Sequence, residues 1–350
     1  IGTGNIEDEK VSNFITEEAL QNSSAKIVNQ GDLLYALYGA NSGEVAISKI
    51  DGAINQAILC IRSEADIQFI YFLLSLNQTK IITKYLQGGQ GNLSATIIKN
   101  LKFYFPSAPE QQKIATFLSA VDKKIQQLTR KKELLETYKK GVMQQLFSQE
   151  IRFKPVLSGA EGNEDGKDFP EWKMRKLKDV CSVNPKNNEL PGTFIYIDLE
   201  SVDGGRLIKE NRITAIGAPS RAQRVLAKND ILFQTVRPYQ KNNLYFKREG
   251  EYIASTGYAQ LRAKENPMFL YQLLHTENFV TRVLKRCTGT SYPAINSNDL
   301  AKIKIKVPVE KEQQKIAEFL SAIDKKIETV SQQIEKAQSF KNGLLQQMFV

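Results

Sequence analysis

Imidazole chemistry would have a single residue to use in this chain, because His275 is the only histidine among 350 residues. It sits in the apolar run LYQLLHTENF, where a structural role outweighs a metal site or a Ser-His-Asp triad. Cys60, Cys181 and Cys287 are far apart, odd in number and outside any CxxC. Buried free thiols in a reducing cytoplasm are therefore expected, not a disulfide framework. The richer polar chemistry lies in loops. Arg237-Pro238-Tyr239-Gln240-Lys241-Asn242-Asn243 combines a bidentate donor, an aromatic ring and amides directly after the strand-like Asp230-Ile231-Leu232-Phe233. Such groups can hydrogen-bond, stack and grip an anion without any covalent step. The net charge is +10, and residues 169–307 account for it with 23 basic against 13 acidic residues. A basic excess confined to one domain points to a polyanion, or else to a solvated basic surface.

These loops need a scaffold, and the sequence shows it twice. Residues 106–147 and 308–349 align without a gap at an offset of 202 and are identical at 21 of 42 positions. The first contains EQQKIATFLSAVDKKI and the second EQQKIAEFLSAIDKKI. Apolar residues recur at three- and four-residue steps through Ile114, Leu118, Val121, Ile125, Leu128, Leu135, Val142 and Leu146, with gaps at Lys132 and Lys139. The second copy fills the seam with Ile316, Leu320, Ile323, Ile327, Val330, Ile334, Ala337, Leu344 and Met348. That is coiled-coil patterning, and each helix would be roughly 55 Å long. Each needs a partner, and the other copy is the obvious one; a core helix of a larger bundle is the alternative.

The remaining segments repeat a plan without repeating a surface. Asp32-Leu33-Leu34-Tyr35 answers Asp230–Phe233, and a helix from Asp66 to about Tyr85 answers one capped by Asn266 and running through Leu284. The loop Gly88–Asn92 answers Thr288–Ala294, and an apolar strand around Leu101–Phe105 answers Lys302–Val307. The expected division is a first α/β domain over 1–105, a long helix over 106–147, and a linker over 148–168. A second α/β domain over 169–307 and a second long helix over 308–350 complete it. Aligning Ile1 near Ile197 leaves Phe169–Tyr196 without a counterpart. The first domain is expected to lack about 28 residues at its start, including the equivalent of the Phe-Pro-Glu-Trp-Lys entry strand, and the natural protein to be longer there.

With two variable domains and two copied helices, the chain resembles the specificity (S) subunit of type I restriction-modification systems. EQQKIAxFLSAxDKKI after Pro106 and again after Pro308 carries the resemblance, with GVMQQLFSQEIRF at Gly141–Phe153 and DFPEWKMRKLKDV at Asp168–Val180. The family implies an α+β fold: two α/β target recognition domains separated by two long helices packed as an antiparallel coiled coil, a pseudo-two-fold internal repeat. It implies a non-catalytic subunit that reads a bipartite double-stranded DNA site. It also implies two modification subunits docked on the helices, motor-nuclease subunits in the full complex, and a cytoplasmic bacterial or archaeal setting. No cofactor is expected on this chain; S-adenosylmethionine, ATP and Mg belong on the partners. The short first domain departs from the family pattern.

Under that reading the loop residues Arg237, Tyr239, Gln240, Lys241, Asn242 and Asn243 are the leading contacts in the second domain. Asn41 and Ser42 hold the matching place in the first. Thr290, Ser291, Tyr292, Gln90 and Asn92 form second-tier loops, and Arg221 and Arg224 suit phosphates. The repeated Lys123, Lys124, Lys325 and Lys326 face solvent or a partner first. Two other readings compete. Gly2-Thr3-Gly4 imitates a methyl-donor loop, but Asp198-Leu199-Glu200 opposite it has no glycine. Asn184-Pro185-Lys186-Asn187 lacks the second proline and the aromatic of an amino-methyltransferase motif, and GxxxxGK[ST] is absent. A self-contained methyltransferase or nuclease is thus disfavoured. A coiled-coil adaptor that binds only proteins is the other alternative.

Overall fold

The computed structural model describes residues 1–86, 92–155, 168–187 and 189–349. The chain divides into two compact units, Ile1–Lys132 with Thr329–Val350, and Glu133–Glu328. Residues 156–167, most of the expected linker, and Gln90 lie outside the described residues.

The second unit is built around the strand Ile231–Gln234, all four residues of which are buried. It pairs antiparallel with Leu244–Tyr245 on one side and Tyr258–Ala263 on the other, and Cys181–Val183 continues the sheet beyond Tyr258–Ala263. A second four-stranded sheet runs Asn211–Thr214, Thr193–Ile197, Tyr252–Ser255, Ala222–Val225, its central pair parallel. Lys173–Lys176 pairs antiparallel with Lys304–Val307. The helix expected from Asn266 through Leu284 is two helices, Pro267–Leu274 and Glu277–Leu284. Thr276 causes the break. Its hydroxyl donates to the Leu273 carbonyl at 2.7 Å and accepts the Phe279 N–H at 3.3 Å, ending one helix and capping the next.

The first unit repeats the centre of this plan. Leu33–Ala36, fully buried, lies between antiparallel Val45–Ile47 and Ile58–Ile61. Helix Ile67–Tyr85 packs its Ile70, Leu74 and Ile81 with Leu33 and Tyr35. The expected caps are present: the Asp66 carboxylate accepts from Phe69 N at 2.9 Å, and the Asn266 amide oxygen accepts from Phe269 N at 2.8 Å. The strand expected at Leu101–Phe105 does not form. Its counterpart Lys304–Val307 is a strand because Lys173–Lys176 supplies its ladder, and among the described residues of the first unit no strand does so.

The copied segments are helices Ala108–Ser148 and Glu310–Met348. In the second unit Lys139 binds Asp324 at 2.6 Å. Further along the first helix, Val142, Met143 and Leu146 share a core with the earlier Ile316, Leu320 and Ile323 of the second. In the first unit Lys341 binds Asp122 at 2.6 Å, and the earlier Leu118 clusters with the later Leu345. The helices are therefore antiparallel in each unit, and the two ion pairs are one pair copied at the repeat offset. The gap that Lys139 leaves in the apolar seam is the amine of that pair.

Candidate nucleic-acid interface

A buried carboxylate organises the strand that carries the main loop. Asp230 is fully enclosed and accepts from Arg262 at 2.8 and 2.9 Å, from the Gln260 amide at 2.7 Å and from Ala227 N at 2.7 Å. The first unit repeats the motif, with Arg62 donating to Asp32 at 3.1 and 2.5 Å. The guanidinium holds the Asp32 carboxyl below the usual carboxylate range. The sequence reading used both aspartates only as strand markers. Their arginine partners lie 30 and 32 residues away, Arg62 just past a strand and Arg262 within one, so only the repeat itself could have linked them.

Beyond the strand the chain turns sharply. Arg237 and Lys241 both adopt the left-handed conformation, φ 53° and 54°, around the short helical turn Pro238–Gln240. Non-glycine residues held there store strain of order 1 kcal/mol or more, which surrounding contacts must offset. Asn243 provides them. It is buried; its amide oxygen accepts Gln234 N at 2.9 Å, and its NH2 faces His275 Nε2 at 3.4 Å. His275 Nδ1 in turn donates to the Tyr271 carbonyl at 2.8 Å, leaving Nε2 as the acceptor. Burial pushes the His275 pKa down to about 4, so the ring stays neutral. His275 is thus structural: it holds the residue that holds the loop.

The second loop lies against the first. Arg237 N donates to the Pro293 carbonyl at 2.7 Å, and Val236 and Thr288 both bridge to Ala294. Gly289 has φ +87°, and a Cβ there would lie 3.1 Å from the Tyr292 carbonyl oxygen, so the turn favours glycine. The Arg237 guanidinium stacks over the Tyr292 ring at 4.1 Å, an arrangement that fixes its planar donor fork. Arg237, Tyr239, Thr290, Ser291 and Tyr292 therefore share one surface, on which Tyr239 and Tyr292 are well exposed.

Other candidates are engaged inside the fold. Asn243 is a correction, because a buried amide bound to the loop's own backbone has nothing to offer a ligand. Asn242 spends its side chain on the Val202 carbonyl at 2.6 Å and on Gly205 N at 3.3 Å. Lys241 is paired with Glu277 at 2.7 Å, and the ammonium holds the Glu277 carboxyl below its ordinary range. Gln240 is exposed and takes the Gln234 amide at 2.9 Å. Arg221 is exposed, whereas Arg224 is half-buried in strand Ala222–Val225 with a buried, unpartnered Nε. Burial lowers its pKa.

In the first unit Asn41 donates to the Thr3 carbonyl at 2.9 Å, and Ser42 to the Leu37 and Gly39 carbonyls at 3.2 and 2.9 Å. Both serve the loop's own shape. Asn92 is exposed beside Leu93, whose N–H donates to the Leu37 carbonyl at 3.1 Å. Ile295 N makes the same bond to the Thr235 carbonyl at 3.0 Å in the second unit. Each unit thus ties the residue after its second loop to the end of its central strand by the same hydrogen bond. Among the described residues, no cluster of three His, Cys, Asp or Glu side chains suits a metal ion, and no helix is long and apolar enough to cross a membrane.

Two polar loops on the end of a buried strand, with the same strand-end hydrogen bond repeated in the other unit, define a binding module. Residues 2–137 and 170–339 match the family model for the type I restriction modification DNA specificity domain, and the chain belongs to that family. It is 27% identical over 340 residues to the type I restriction enzyme MjaVIII specificity subunit of Methanocaldococcus jannaschii, covering 89% of this chain and 77% of that one. The MjaIX specificity subunit of the same organism is 24% identical over 357 residues, covering 95% and 79%. Among solved structures, the type I restriction-modification S subunit from M. genitalium superposes with a TM-score of 0.60 at 18% identity, covering 93% of this chain and 84% of that one. The family is that of the specificity subunits, and the role that goes with it is DNA recognition without catalysis.

Proposed function

We propose that this chain reads a bipartite duplex site, with one half-site for each unit, and that the long helices set the distance between the halves. The observation that carries the proposal is the duplicated loop platform, in which the bonds Leu93 N to Leu37 O and Ile295 N to Thr235 O support loops of unlike sequence. Two similar platforms with different surfaces suit two different base sequences. In the second unit Arg237, stacked on Tyr292, offers a planar fork to a guanine edge, while Tyr239, Thr290 and Ser291 flank it. Arg221 and the wider basic excess of residues 169–307 suit phosphates.

The helices support a second role. Tyr138 and Phe340 occupy the same repeat position, one in each unit, and each is about half exposed. Exposed aromatic anchors duplicated in this way suit two copies of one partner. The partners are two modification subunits carrying S-adenosylmethionine. Motor-nuclease subunits using ATP and Mg join them in a cytoplasmic complex.

Mapping methylated adenines in a genome that carries this chain and its modification subunit tests the reading. A split motif is expected. Arg237→Ala should cost about 1–3 kcal/mol at one position of one half-site and leave the other half unchanged. Equal loss at both halves would reduce Arg237 to a phosphate contact. Absence of any shift with duplex DNA would leave a protein-only adaptor.

A further inference from the structure

One buried amide in the second unit is not called for by the fold around it. Gln234 ends the central strand Ile231–Gln234 and is 5% exposed. Its Nε2 donates to Gln240 Oε1 at 2.9 Å, and its own Oε1 is enclosed with no partner among the described residues. Burying an amide with one polar atom unsatisfied costs stability, and an apolar side chain of the same length would avoid that cost. The strand does not require an amide here. Counted from the paired aspartates Asp32 and Asp230, the matching residue of the first unit is Ala36, also buried. Both strands still accept the same loop hydrogen bond on the next carbonyl, Leu37 in one unit and Thr235 in the other.

What Gln234 holds is Gln240, which is exposed at the end of the turn Pro238–Gln240 beside Arg237. The backbone of that turn is already fixed. Gln240 N donates to the Arg237 carbonyl at 3.0 Å, and the next residue, Lys241, is left-handed and paired with Glu277. An unrestrained exposed glutamine samples many rotamers and offers its oxygen or its NH2 with equal ease. Here the oxygen is turned inward to Gln234, so the NH2 is the end left for a ligand. Adenine is read by both ends of a glutamine amide, and cytosine presents only an N4 donor. Guanine O6 and N7 and thymine O4 are acceptors, and they suit an NH2 alone.

We infer that Gln234 is a positioning residue for base recognition. It locks the Gln240 amide with its NH2 outward, so that the second unit selects guanine or thymine over adenine or cytosine at one position of its half-site. This role rests on the DNA reading proposed above, and Gln234 itself touches no base. With Ala36 in the matching place, the first unit has no such lock.

The test selects duplexes from a randomised pool with the full chain, then measures binding to each base in turn at every selected position. The unaltered chain should prefer guanine or thymine at one position by about fivefold, the worth of one net hydrogen bond. Gln234→Met keeps the side-chain length and removes the lock. That preference should then fall below about twofold, with adenine gaining most, while the other positions keep theirs. In a Gln240→Ala chain the same replacement should change nothing further. Thermal unfolding separates a purely structural role: Gln234→Met should hold or raise the Tm, because the partner it releases is exposed to water. An unchanged base profile, a preference for adenine or cytosine at the position that Gln240→Ala alters, or an effect of Gln234→Met that persists in the Gln240→Ala chain would overturn the inference and leave the DNA reading intact. Failure to select any sequence would overturn the DNA reading, and the role of Gln234 with it.

Discussion

Glu312 and Glu110 are the same residue of the repeat in two electrostatic settings. Glu312 is buried against Arg152 at 2.7 Å and the Trp172 indole, so Glu312→Ala should cost the second unit roughly 3 kcal/mol, because it strands a guanidinium and an indole. Glu110→Ala should change stability by less than about 0.5 kcal/mol. Urea unfolding of both variants checks the contrast. His275 adds a pH dependence. The unfolded chain binds its proton near the ordinary value of 6.5, the folded chain only near 4. Acidification below 6.5 therefore favours the unfolded state, by about 1.4 kcal/mol per pH unit until the folded value is reached. Between pH 6.5 and 5 the loss should be roughly 2 kcal/mol, and urea midpoints of His275→Asn should fall less steeply over that range. Lys139, Lys241, Asp324 and Glu277 around the ring remain in that variant. At this scale the sequence located the loop but not the division of labour inside it. Residue type names Asn243 and Arg237 alike as donors; only burial separates the one that shapes the loop from the one on its surface.

Among the elements, the helices were the most legible, since their seam, caps and offset are written in local spacing. Asp66, Asn266 and the three-and-four apolar steps each report on neighbours within one or two turns. Strands were less so. Leu101–Phe105 and Lys302–Val307 read alike, yet only the second has a ladder, because a strand depends on a partner far away in sequence. The Thr276 break escaped notice for a related reason: its hydroxyl competes with a backbone bond that periodicity treats as given. The helices' outer faces carry a prediction of their own. Tyr138→Ala or Phe340→Ala should remove one copy of the helix-bound partner, and the double variant both, as read by native mass spectrometry of the reconstituted complex. Each truncation should cost about 2 kcal/mol of binding. Loss of both copies from a single substitution would sink the idea of duplicated docking sites.

For the molecule as a whole, the ruler role predicts that removing seven residues from the matching part of each long helix shortens the tolerated spacer and leaves both half-site sequences intact. Methylome mapping reads this directly; an unchanged spacer would refute it. Fold class and duplication were legible because they rest on a repeat across the whole chain.

The shared helices also fix an order of events during synthesis. The second unit, Glu133–Glu328, is continuous in sequence and has all its parts once residue 328 leaves the ribosome. The first unit begins earlier but needs Thr329–Val350, which is made after the second unit. The half whose synthesis begins first is therefore completed after the other. Until then Phe72 and Leu118, which pack against Leu345 in the finished fold, wait without that cover. Nascent chains stalled just after residue 328 has emerged would carry a folded second half and an apolar first half, a natural target for chaperones.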